Sequence, residues 1–207
     1  MFERGRLCLA IVAVGLTTRA GAVRAQQCDA AHYRWAEKVS VALLRLAPDT
    51  TTIADMLTRW SIPASLPERN AWCAARVGRE RIVYSVLGWL RDADTTKDDG
   101  DWHLELTQRP DDAREQCIVV EIPAPRWGRV YATARATVDT LLRAAKWGRH
   151  GRVDPPVRIR IVGPPFYDAE HVHGRRRPRA EGHGHCNSSL RALWEIHPVY
   201  RVERADP

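Results

Sequence analysis

Acids and imidazoles recur in this chain at the ends of short apolar segments. Asp99, Asp101 and His103 open one segment and Glu121 closes the next; Asp168, Glu170 and His171 follow a third, and Glu195 and His197 lie in the last. Carboxylate oxygens and imidazole nitrogens together make the donor set of a divalent cation, oxygen-rich subsets suiting Ca2+ or Mg2+ and imidazole suiting Zn2+. The same residue types also cap strands through hydrogen bonds. A metal site drawn from Asp99, Asp101, His103, Glu121, Asp168, His171 and His197 therefore competes with a purely structural polar network. A further histidine group, His171-Val-His173 with His183-Gly-His185-Cys186, has ligand residue types but lacks the paired cysteines of a zinc site, so structural or adventitious roles suit it better. The chain has no Gly-x-Ser-x-Gly elbow, phosphate-binding glycine loop or Cys-x-x-Cys redox pair.

For these groups to meet, the segments between them must be strands that end in one place. In Asp99-Gly-Asp-Trp-His-Leu-Glu-Leu106, Trp102, Leu104 and Leu106 alternate with Asp101, His103 and Glu105, which is the period of a strand entered from an acidic turn. Strands are predicted at 81–90, 101–108, 117–122, 157–162 and 193–202. A helix is predicted over 129–147, its buried stripe being Val130, Ala134, Val138, Leu141, Leu142 and Ala145, and the polar stretch 163–189 reads as a loop. Three strands, a helix and two strands is the order of an OB-fold: an α+β chain forming a five-stranded OB-like Greek-key β-barrel over residues 78–207. Residues 26–77 read as a helical N-terminal extension, with Tyr33, Ala36, Val39, Leu43 and Leu46 spaced for one helix over 29–46 and a second near 52–60.

Composition bounds the class. With 44% hydrophobic and 28% charged residues the chain is globular in type. Residues 1–25 have the form of a signal peptide: Arg4 and Arg6, then an apolar run from Leu7 to Leu16, then Val23-Arg24-Ala25 for cleavage. That run is far short of the ~20 residues a membrane span needs, so the mature chain is expected to have no transmembrane segment and to be exported, periplasmic or secreted. Cleavage would leave Cys28, Cys73, Cys117 and Cys186, an even number in a compartment where disulfides persist. Three pairings are open, among them Cys28–Cys73 across the helices with Cys117–Cys186 pinning the long loop. The full chain carries a net charge of +7, and the run Arg175-Arg176-Arg177-Pro178-Arg179 is its one dense basic stretch.

Two resemblances enter on these motifs. The Asp99-Gly-Asp101 turn, followed twenty residues later by Glu121-Ile-Pro123, resembles the thermonuclease (staphylococcal-nuclease-like) family. That resemblance implies Asp101 and Glu121 as Ca2+ carboxylates. It also implies a catalytic arginine where this chain has Gln116 and a general-base glutamate where it has Ala124 or Pro125, with Arg114 or Arg126 as the nearest substitutes. More of the chain, through the blocks DGDWHLEL, VVEIP, VGPPFYDAEH and WEIHPV, resembles a set of uncharacterised exported bacterial OB-like barrel proteins. This second resemblance implies a shared barrel with a polar mouth and supplies no activity.

Three functions are open to such a chain. The first is an exported OB-fold binding module for nucleic acid or another polyanion, with Trp102 or Trp127 stacking and Arg158, Arg160, Arg175 and Arg176 supplying charge. The second is a metal-dependent phosphodiesterase using Asp101, Glu121 and Asp168. The third is a structural periplasmic interaction domain.

Overall fold

A computed structural model describes residues 32–64, 73–96, 98–174 and 176–206, without the side chain of Arg149. Residues 1–25, read above as a signal peptide, Cys28 and Arg175 lie outside the described residues. In chain order the elements are α1 (Trp35–Lys38), β1 (Asp49–Thr52), α2 (Ile53–Thr58), β2 (Tyr84–Thr95), β3 (Trp102–Thr107), β4 (Cys117–Ile122) and α3 (Arg129–Ala144). They continue with β5 (Lys146–Trp147), β6 (Arg152–Gly163), β7 (Pro165–Tyr167), β8 (Val172–His173), β9 (Arg179–Ala180), β10 (Trp194–Ile196) and β11 (Arg201–Arg204). The class is α+β, dominated by strands. No helix among the described residues is long and apolar enough to cross a membrane.

The alternating segment behaves as its period requires. β3 pairs antiparallel with β2 and with β4, and β4 pairs parallel with β10, giving the sheet order β11-β6-β2-β3-β4-β10-β7. Leu104, Leu106, Ile118, Val120 and Ile122 face the main core, where they meet Val86, Leu90, Ile159, Ile161 and Ile196, all fully buried. α3 adds Tyr131, Ala134, Val138, Leu141 and Leu142 at helical spacing. Each Val, Leu or Ile side chain among these contributes roughly 1.5–3 kcal/mol when removed from water. Gly88 in β2 lets α2 approach closely, because a Cβ there would lie 2.7 Å from Ile53 Cδ1 and 3.1 Å from the Thr107 carbonyl oxygen.

The strand count departs from the expected five. Eleven strands pair among the described residues. Three of the extra ones, β7, β8 and β9, lie within the stretch read as loop, and at two or three residues each they are too short to show a period. The last strand is interrupted at a cis His197–Pro198 bond, so that β10 pairs with β4 and β7 while β11 pairs with β6. The 26–77 extension is only partly helical: among the described residues the expected 29–46 helix is confined to Trp35–Lys38, and Leu46, the last residue of its expected stripe, is exposed together with Val41 and Leu44. Thr50, Thr51 and Thr52, β-branched and suited to extended backbone, instead run parallel to β2 from Ser85 to Leu87. Thr52 then caps α2, its hydroxyl accepting from the Asp55 N–H at 3.0 Å.

What positions the polar residues is the far side of β3 and β4. His103, Glu105 and Thr107 stand opposite Glu121, Val119 and Cys117 on that side. It too is buried, because the segment from Asp168 to Ser189 folds back across it and the Cys117–Cys186 disulfide fixes the segment there. Its apolar contribution is a separate small cluster of Cys117, Val119 and Cys186.

Candidate metal centre

Asp101 enters the site from the acidic turn. Its N–H donates to the Asp99 carboxylate and to the Thr96 hydroxyl, both at 2.9 Å, and the Thr96 hydroxyl also donates to Asp99. Asp99 is thereby engaged in shaping the turn, with Gly100 at φ 79 taking the left-handed position. Asp101 Oδ1 accepts the Ala124 N–H at 2.9 Å, which fixes the carboxylate and leaves Oδ2 directed inward.

From there imidazoles and carboxylates alternate. Glu121 Oε1 lies 2.9 Å from His103 Nδ1, and Glu121 Oε2 lies 3.0 Å from His197 Nδ1. Glu195 Oε1 is also 3.0 Å from His197 Nδ1, and Glu195 Oε2 is 3.1 Å from His183 Nε2. The series His103–Glu121–His197–Glu195–His183 thus crosses β3, β4, β10, the residue after β10 and the covering segment. Beside it, Glu105 accepts the backbone N–H of His185 at 2.8 Å and meets His185 Nδ1 at 2.8 Å, while Lys38 Nζ contacts Asp168 Oδ2 at 2.7 Å.

An ionised carboxylate only accepts, so the imidazole nitrogen facing it carries the hydrogen. The opposite nitrogens are then the open ones. His103 Nε2, His183 Nδ1, His197 Nε2 and Asp101 Oδ2 are buried side-chain atoms without a hydrogen-bond partner among the described residues. Two of them face each other: His197 Nε2 lies 3.5 Å from Asp101 Oδ2, with both side chains 0% exposed. That separation is too long for a good hydrogen bond. Asp101, Glu121 and His197 each place a donor atom within 4.8 Å of the others.

The field around these groups favours positive charge. Burial works against an ionised Glu195, yet the Lys38 ammonium and the bonds from His183 and His197 outweigh it and hold the carboxyl down at about 2. Glu121 is likewise held well below the usual range, burial being outweighed by its bonds from His103 and His197. Burial would lower His103, but Glu105 and Glu121 push it up to about 10, and Asp101, Glu121 and Glu195 raise His197 well above its ordinary value despite complete burial. In the metal-free protein a proton supplies the positive charge.

No known protein family, curated protein or solved structure matches the chain. Geometry alone therefore sorts the expected residues. Asp101, His103, Glu121 and His197 come together; Asp168 and His171 lie at the margin, Asp168 Oδ2 being 4.0 Å from His171 Nε2. Glu105, Glu195, His183 and Lys38 join them. Glu105 and Glu195 lie on the polar register of β3 and β10, which is a readable signal, whereas Lys38 has none in a segment read as a helix face.

The expected polyanion residues do not converge. Trp102 is buried at the edge of the core with its ring 5.7 Å from that of Trp147, and Trp127, 40% exposed, packs on Trp35. Arg158 donates to the Asp206 carbonyl oxygen, and Arg160 to the Ser85 hydroxyl, on the outward side of β6. Arg176 is exposed in the covering segment. Nor does either substitute arginine stand free: Arg114 pairs with Asp92 at 2.6 Å, and Arg126 donates to the Asp99 carbonyl oxygen at 2.7 Å.

Proposed function

We propose that this chain is an exported domain that holds a divalent cation in a closed site between Asp101 and His197, with the Glu121 carboxylate orienting His197 from behind. The carrying observation is the pair of unpartnered buried atoms, His197 Nε2 and Asp101 Oδ2, 3.5 Å apart. Ligands at 2.0–2.2 Å on a tetrahedral ion lie about 3.4 Å from one another, so a zinc-class ion between these two atoms needs almost no rearrangement. His197 turns its other nitrogen to the Glu121 and Glu195 carboxylates, the arrangement that fixes the tautomer and raises the basicity of a metal-bound imidazole. An imidazole in the set favours Zn2+ over Ca2+ or Mg2+.

Complete burial of Asp101 and His197 keeps substrate away and suits a structural ion. The scaffold fits an OB-like Greek-key barrel. β10 and β11 are successive parts of one chain, and between them the Val199 N–H donates to the Glu121 carbonyl oxygen at 2.9 Å and the Tyr200 N–H to that of Val162 at 2.8 Å, carrying the sheet round from β4 to β6. Export agrees with the leader-like start and with the Cys117–Cys186 disulfide.

The test is metal content by mass spectrometry on chain purified from an oxidising compartment, with thermal unfolding before and after chelation. About one equivalent of zinc is expected, lost in Asp101→Asn, and Zn2+ at a hundredfold its Kd should stabilise the protein by about 2.7 kcal/mol. An unfolding temperature indifferent to both chelator and Zn2+ would leave the layer as a proton-held structural network.

A further inference from the structure

A cavity of about 330 Å3 opens where the carboxyl end of α3 meets β2, β6 and β11, and it shares no residue with the Asp101 site. Trp89, Leu141, Pro155, Pro156 and Val157 give it an apolar wall, and Lys146, Arg158 and Arg204 are its charged residues. Small-molecule sites occupy roughly 300–1,000 Å3 and have this makeup, apolar surface with a few polar groups. Register joins the two kinds of group. β2 and β6 pair Trp89 with Arg158, and opposed residues of neighbouring strands point to one side with Cβ atoms about 4.5–5.5 Å apart, so the half-buried indole and guanidinium stand side by side. The Ala205 N–H donates to the Arg158 carbonyl oxygen at 3.0 Å, which holds the end of β11, and Arg204 with it, against the same strand.

The charge in this cavity is uncompensated. Among the described residues no carboxylate lines it, and Lys146 and Arg204 enter no ion pair. Lys146 stands opposite Asp154 in the β5–β6 register without pairing with it, and Glu203 is taken by Arg160 at 3.8 Å and by Arg201 at 2.9 Å. Arg158 Nη1 donates to the Asp206 carbonyl oxygen at 2.7 Å, a neutral acceptor that fixes the guanidinium and leaves its charge unbalanced and its other N–H donors open. The carboxyl end of α3 brings about half a negative charge, which three cations outweigh.

We propose that this cavity binds a small organic anion, an aromatic carboxylate in class, with the ring against Trp89, Pro155 and Pro156 and the carboxylate on Arg158, Lys146 and Arg204 adding to the positive field. Indole and proline faces pack on a flat apolar body, and a guanidinium takes a carboxylate through two parallel N–H bonds. A neutral ligand of the same shape gains only the first of these, and a cation is repelled. The site goes beyond the metal reading and does not depend on it.

The probe is 2-naphthoate, and 2-naphthamide, which has the same ring system and no charge, is the control. Calorimetric titration of the chain purified from an oxidising compartment should give one 2-naphthoate per chain with a Kd below about 1 mM, the amide binding at least about tenfold more weakly. Amide shifts in nitrogen-15 NMR should centre on residues 88–90, 144–146, 157–158 and 204–205. Arg158→Gln should weaken 2-naphthoate by about tenfold or more and leave 2-naphthamide unchanged. Arg204→Gln, at an exposed position of the last strand, should weaken it by about threefold, an effect that shrinks as salt rises, and it decides the matter if Arg158→Gln does not fold. A Kd above about 1 mM, equal affinity for acid and amide, or shifts centred elsewhere overturns the proposal, as does a 2-naphthoate affinity that neither arginine variant changes.

Discussion

β3 and β4 are buried on both sides, and the two sides are held by different physics. Toward the core, Leu104, Leu106, Ile118, Val120 and Ile122 lose water to one another with no directional demand. On the other side His103, Glu105 and Glu121 meet a covering segment whose apolar contribution is little more than Cys117, Val119 and Cys186, so direction and charge carry the contact. The core side should tolerate a change of shape that conserves volume. The polar side should tolerate no change of charge. Leu104→Met is expected to cost less than about 1.5 kcal/mol. Glu121→Gln, equally conservative in volume, leaves His103 and His197 each short of a buried counter-charge and should cost about 3–5 kcal/mol. Urea unfolding midpoints of the two variants measure the difference, and a larger cost for Leu104→Met would overturn the division.

The Cys117–Cys186 bridge lies on the polar side. Replacing Cys117 and Cys186 by serine should cost about 2–4 kcal/mol, read as a lower thermal midpoint in the variant and, for the parent, under reductant. It should also release His183 and His185 from Glu195 and Glu105, so amide exchange should rise across 168–189 and stay slow in β2 and α3, which pack in the main core.

The sequence was legible where period and position agree. β4 falls at 117–122 as read, and β3 and α3 differ from their predicted bounds by one to three residues, since each presents one apolar side to one core. The strand-end acids were legible as a group for the same reason: alternation puts Asp101, His103 and Glu105 on one side. That this side is buried was not legible. A polar register normally faces water, and here only the long-range closure of 168–189 through Cys117–Cys186 covers it. His183 reaches the layer through that closure and Lys38 from the end of the four-residue α1, neither of which has a local signature.

Titration separates the two sides again, because the buried imidazoles and carboxylates that meet β3 and β4 lie on the polar one. In the metal-free protein His103 is raised from 6.5 to about 10, so its contribution to stability is complete below about pH 6.5 and fades as pH rises through about 10. Glu195 is lowered from 4.5 to about 2, so its contribution is complete above about pH 4.5 and fades as pH falls through about 2. Unfolding free energy measured under chelation should therefore be greatest between about pH 4.5 and 6.5 and decline on both flanks. His103→Phe should flatten the alkaline flank; a flank unchanged in that variant would assign it to other groups.

The smallest contrast isolates packing on the polar side from backbone strain. Gly184 and Gly78 both have positive φ, 57° and 48°, so alanine pays a similar conformational penalty of about 1 kcal/mol at either position. They differ in surroundings: a Cβ on Gly78 meets nothing within 4 Å, whereas one on Gly184 meets His103 Nε2 at 2.8 Å. Gly78→Ala should thus show the backbone term alone, and Gly184→Ala about 1–3 kcal/mol more as the covering segment is lifted from His103 and Glu105. The excess should shrink in the Cys117→Ser/Cys186→Ser background, where the segment is free to move away. An excess of the same size in both backgrounds would mean that the histidine and carboxylate contacts hold the segment on β3 without help from the disulfide.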